Sequence, residues 1–145
     1  MISSLLNDTA INTLERTVNF TEERHTLILE NLANVSTPGY VQKDVSVQDF
    51  RDSLAAAIQR QRESFNSPFD PKSTDTTEFQ GVNGDSGVRV KARPVVTSAP
   101  FHDRGIRSME NLMGQLADNA EAHNMAAQFL KSRYDQINRA ISMKP

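Results

Sequence analysis

Proline stands at positions 38, 68, 71, 94, 100 and 145 and nowhere else in this 145-residue chain. Because proline has no N–H and its ring clashes with the preceding helical turn, these positions bound or break helices. Residues 1–37 and 101–144 are therefore proline-free, and they are the two segments that carry helical periodicity. Steps of three and four from Ile11 visit Leu14, Val18, Thr21, His25, Ile28, Leu32 and Val35, of which only Thr21 and His25 are not apolar. That spacing predicts an amphipathic helix over 9–34, capped by a side-chain oxygen of Asn7 or Asp8. In the second stretch Met109, Met113, Leu116, Ala120, His123, Ala127, Leu130, Tyr134, Ile137 and Ile141 follow the same alternation. Glu110, Asp118 and Glu121 come early and Lys131, Arg133, Arg139 and Lys144 late, an order that complements the helix dipole. Ala122, Ala126 and Phe129 form a smaller stripe beside this seam, more apolar surface than one partner helix needs.

Between the helices the pattern weakens. Residues 41–50 carry Val41, Val45 and Val47 and read as extended, and "DFRDSLAAAIQRQ" (49–61) reads as a short helix. Residues 63–87 show no period and hold 17 Ser, Thr, Asn, Asp, Pro or Gly in 25, which predicts a flexible loop. "GVRVKARPVV" (87–96) alternates like a strand, with Pro94 confining it to an edge or an end. The fold class that follows is mainly α. It comprises an N-terminal helix and turn (1–40), a middle region with a short helix, the loop and minor β segments (41–105), and a C-terminal helix (106–145), together one structural unit.

Composition narrows the function. Hydrophobic residues make up 37%, mean hydropathy is −0.52, Trp is absent and Tyr occurs twice, favouring an elongated helical shape or a partly disordered chain over a dense globule. A net charge of −2 and a pI near 5.9 give no basic footprint for nucleic acid. Without cysteine there is no disulfide framework, thiolate metal site or Cys nucleophile. No stretch approaches the roughly 20 apolar residues of a membrane span, so no membrane insertion is expected. The N-terminal stretch has neither a basic region nor a continuous apolar run, so a cleaved secretory signal is not expected.

The first helix ends in "NLANVSTPGY" (31–40). Pro38 pushes Thr37 towards extended geometry, and Pro-Gly at the centre of Thr37-Pro38-Gly39-Tyr40 suits a type II turn. Asn34 is placed to cap the helix end in a left-handed conformation. This string resembles the N-terminal signature of the bacterial flagellar basal-body rod proteins, matched at Asn31, Ala33, Asn34, Thr37, Pro38, Gly39 and Tyr40. The short chain, with no large middle domain, narrows the resemblance to the small proximal rod proteins. "LADNAEAHNMAAQFLKSRYDQINRAI" (116–141) is similar to their C-terminal helix, and the resemblance covers roughly residues 9–50 and 112–143.

The resemblance implies a structural subunit of the flagellar basal body, exported through the type III apparatus without a cleaved signal. Its partners would be other rod and basal-body proteins, copies of itself and the export apparatus. Its terminal helices would pair as a coiled coil, Ile11, Leu14, Val18, Ile28 and Leu32 facing Leu116, Leu130, Tyr134, Ile137 and Ile141, and would order on assembly. If the two helices run antiparallel with the chain ends level, His25 comes beside His123, and protonating both would loosen that layer.

Chemistry has little support. Glu22 and His25 have the Glu-x-x-His spacing of di-iron bundles, but neither His102 nor His123 has a Glu three residues before it. His102-Asp103 lacks a nucleophile elbow, and "GVNGDSG" (81–87) lacks the Lys-Ser/Thr pair of a phosphate loop. No catalytic residue, cofactor or metal is expected. The competing reading is a cytosolic helical adaptor or a flagellar or type III secretion chaperone, which would use the same amphipathic ends.

Overall fold

The computed structural model describes residues 9–63, 79–81, 88–95 and 104–142. In chain order these form α1 (Thr9–Ala33), β1 (Lys43–Asp44), α2 (Val47–Glu63), β2 (Phe79–Gly81), β3 (Val88–Val90), β4 (Arg93–Pro94) and α3 (Arg104–Ser142). The fold is mainly helical, and its largest interface is the pairing of α1 with α3 as an antiparallel coiled coil. The direction follows from the cross-contacts: Glu15 meets Tyr134, while Thr21, further along α1, meets His123, further back along α3.

Local chemistry sets the boundaries. Along α1, the hydroxyls of Thr13, Thr17 and Thr21 donate to the carbonyls of Thr9, Thr13 and Thr17 at 2.6, 2.8 and 3.0 Å. Threonine is a modest helix former, so this helix owes its stability to burial on two faces. The cap expected from Asn7 or Asp8 lies outside the described residues. Helix α2 begins two residues earlier than its sequence pattern predicts, because the Asp49 N–H donates to Ser46 Oγ at 3.0 Å. Ser46 thus acts as the N-cap, with Asp49 in the first turn and Arg60 and Arg62 in the last.

The strands form two antiparallel pairs. β1 pairs with β4 in the register Lys43↔Pro94 and Asp44↔Arg93. β2 pairs with β3 through Phe79↔Val90, Gln80↔Arg89 and Gly81↔Val88. Residues 87–96 are therefore not one strand; the chain changes partner at Lys91–Ala92, and Pro94 takes a short pair at the end, where its missing N–H costs little. β2 corrects the expectation of an unbroken loop over 63–87: an available partner strand prevails over local polarity. The rest of that expected loop, residues 64–78 and 82–87, lies outside the described residues.

Helix α1 sits centrally. One face carries Phe20, whose ring stacks on Phe50 of α2 with centroids 4.0 Å apart and planes 5° from parallel. Val45 completes this cluster, with Leu27, Val47, Leu54, Val90 and Ala92 around it. The opposite face meets α3. On α3 the buried residues Leu112, Asn119 and Ala126 recur every seven positions, a heptad line.

That line corrects the expected seam. It runs along the margin between the stripe starting at Met109 and the smaller stripe, sharing Ala126 with the latter and leaving Ala122 and Phe129 exposed. Ile11 and Ile28 are buried and Leu14, Val18, Leu32, Leu116, Leu130 and Ile137 are partly covered, but Tyr134 and Ile141 are 40% and 44% exposed. Tyr134 lies at the edge because its hydroxyl reaches Glu15. Ile141 lies two turns further on, towards the end of α3.

Candidate functional site

The corner after α1 is built from the residues of the 31–40 string. Asn34 closes the helix through its side chain: its Nδ2 donates to the Glu30 carbonyl at 2.9 Å, which also accepts the Asn34 N–H at 3.2 Å. Thr37 N–H donates to the Asn34 carbonyl at 3.0 Å and Tyr40 N–H to the Thr37 carbonyl at 3.3 Å. Gly39 has φ +78°, so Thr37–Tyr40 forms the type II turn that Pro-Gly favours. Ala33, Thr37, Pro38 and Gly39 are exposed; they direct the chain rather than fill a core.

Asn31 gives the corner its hold. It is only 3% exposed. Its Oδ1 accepts from the Lys43 N–H at 3.0 Å and its Nδ2 donates to the Lys43 carbonyl at 2.5 Å. The side-chain amide thus pairs with β1 as a peptide group of a neighbouring strand would, and this double bond fixes which way the amide points. Tyr40 then turns back and donates its hydroxyl to Asn31 Oδ1 at 3.1 Å. The clamp covers one edge of β1 while β4 pairs with the other, Val95 N–H donating to the Gln42 carbonyl at 2.7 Å. Gln42 Nε2 donates to Ser108 Oγ of α3, so the corner touches both long helices.

About three turns before Asn31, a polar layer crosses the helix pair. Thr21 Oγ1 lies 2.7 Å from the Val18 carbonyl and 3.0 Å from His123 Nδ1. That contact ties the His123 ring to the α1 backbone through a single hydroxyl. Buried Asn119 donates Nδ2 to the Thr21 carbonyl at 2.8 Å. His25 and His123 both line one pocket of about 320 Å3 with Thr21, Glu22 and Asn119, and the Thr21–His123 and Glu15–Tyr134 contacts follow the register expected for level chain ends. A buried polar layer of this kind fixes register at a cost in stability. Among the described residues no group of three or more His, Cys, Asp or Glu comes together to hold a metal. No described helix is long and apolar enough to cross a membrane.

At the far end, Tyr134 donates its hydroxyl to Glu15 Oε1 at 2.5 Å. That bond, then burial, then the Glu15 charge raise the phenol above its ordinary 10.0. A folded-state value above the unfolded one contributes stability that is present below pH 10 and lost as pH rises through the folded value. Helicity of the wild type should therefore fall more steeply above pH 10 than that of Tyr134→Phe, followed by circular dichroism; identical alkaline curves would deny the bond any weight.

Of the buried polar residues, the sequence pattern placed Thr21 on the seam but missed Arg16, Asn31 and Asn119 as packing residues. Asn119 had a signal, since it stands midway between Leu112 and Ala126 at heptad spacing. Comparison with known proteins finds no matching family model and no matching curated protein.

Proposed function

We propose that this chain is a structural subunit of the bacterial flagellar basal-body rod, of the FlgB type that stands proximally. It assembles through its terminal helices, connects the export apparatus and membrane ring to the rod, and transmits torque. The observation that carries the reading is the corner. Asn31, Asn34, Thr37 and Tyr40 of the signature string bond to one another or to the adjoining backbone, and Pro38-Gly39 makes the turn. A subunit that passes force needs its chain to leave the helix pair in one fixed direction, and this clamp supplies it. The exposed apolar residues of α3, Met113, Met125, Phe129 and Ile141 at 44–58% exposure, suit a helix that is covered in an assembly. Its partners are then other rod and basal-body proteins and copies of itself, and its place is the periplasm-spanning rod, reached by export without a cleaved signal. We propose no catalytic role.

Mass spectrometry of detergent-extracted, purified basal bodies from the source cell tests this. The chain should be enriched there together with other rod components. Gly39→Val should be made in normal amounts yet incorporated poorly: nothing lies within 4 Å of an added Cβ, so the strain is that of a β-branched residue at φ +78°. Recovery only from the soluble cytoplasm would reject the rod and favour the adaptor or chaperone.

A further inference from the structure

The start of α1, the end of α2 and the outer part of α3 enclose a groove of about 920 Å3 that the corner and the polar layer do not use. Leu14, Ile58 and Phe129 give it apolar walls, and Phe129 is 58% exposed. Arg62 and Arg133 stand in the lining, both exposed; Arg133 donates to the Gln136 amide oxygen at 3.2 Å, and among the described residues no carboxylate joins them there. The Gln61 amide oxygen is buried against this lining and accepts no hydrogen bond from any described residue. A buried acceptor without a donor is uncommon in a folded chain and calls for a partner group.

We propose that this groove docks an amphipathic helix of a partner protein whose apolar edge is flanked by carboxylates. Three features select that occupant. The trough is open to solvent and walled by three helices, the setting in which a helix lays an apolar stripe; a small molecule is usually enclosed far more completely. Two unopposed guanidinium groups select carboxylates at the stripe's margin, with the planar two-point geometry that arginine offers. On rotation of its side chain, the Gln61 oxygen, buried in the empty groove, takes one donor, such as a side-chain amide of the incoming helix. The lining alone carries this inference, whether or not the chain belongs to a rod.

The test uses the full chain and a fluorescein-labelled peptide of about four helical turns, with leucines at three- and four-residue steps flanked by glutamates. Its twin has lysine for every glutamate. By fluorescence anisotropy the glutamate peptide should bind at least roughly tenfold more tightly than the lysine twin. The double variant Arg62→Glu/Arg133→Glu should invert that preference while leaving the circular dichroism unchanged, since both side chains are exposed. Equal binding of the two peptides, or a preference that survives the charge reversal, overturns the proposal. So does arginine-dependent binding of dodecanoate without binding of either peptide, which would make the groove a site for a small amphiphile. Self-association that the reversal abolishes would assign it to a second copy. Binding of the glutamate peptide only after removal of residues 1–8 would assign it to the chain's own N-terminus.

Discussion

Phe20→Ala should destabilise this chain by about 3–5 kcal/mol, the usual cost of emptying a buried aromatic site. Phe20 is 3% exposed and its partner Phe50 is 4% exposed, so few neighbours can collapse into the space. The parallel stack adds roughly 1 kcal/mol of pair energy that a single truncation also forfeits. Domains have only about 5–15 kcal/mol of stability in hand, so the loss takes a large share. Urea denaturation followed by circular dichroism measures it, and Phe20→Leu, which keeps most of the volume, should lose far less. A double-mutant cycle with Phe50→Ala should return a coupling of about 1 kcal/mol. If Phe20→Ala cost less than ~1 kcal/mol, the cluster joining α1 to α2 and the strands would not be a core.

Asn31→Asp should cost about 3 kcal/mol at neutral pH, more than Asn31→Ala at about 1–2 kcal/mol. Alanine removes the bonds to Lys43 and Tyr40, but Lys43 is exposed, so water can reach part of what is left. Aspartate keeps the acceptor for the Lys43 N–H and the Tyr40 hydroxyl, yet turns a second oxygen on the Lys43 carbonyl. It also buries a charge at a site 3% exposed. The difference between the two variants should shrink in acid, because a protonated carboxyl can again donate to that carbonyl. Denaturation midpoints at neutral and acid pH decide it: an aspartate variant no worse than alanine at neutral pH would mean that the amide does not bridge the strand.

The long elements were legible because their cause is local. Two proline-free stretches with three-and-four spacing had to be helices, and α1 ends within a residue of its expected limit. Pro38-Gly39 likewise fixed a turn whose type follows from one glycine. The rest depends on partners distant in sequence. The line Leu112–Asn119–Ala126 is buried because α1 presents Thr21 to it, and a hydrophobicity pattern reads Asn119 as surface. Phe20 falls off the α1 seam because it faces a second partner, α2, and one stripe cannot report two neighbours. β2 is a strand only because β3 is there to pair with it. Within the corner, the string marked Asn31 and Tyr40, but nothing in it pointed to Lys43, whose backbone Asn31 holds.

The antiparallel pairing also has a consequence for the order of folding. Phe20 and Phe50 close a short loop, whereas Thr21 and His123 are 102 residues apart. Closing the longer loop costs about 1 kcal/mol more in chain entropy, and contacts between nearby residues form faster. The first helix should therefore settle on its α2 side early and wait with its other side bare until the end of the chain arrives. The last element to dock is also the first to leave. On this order of events the α3-facing side of α1 stays open until α3 docks, and during that interval another chain's helix can take its place.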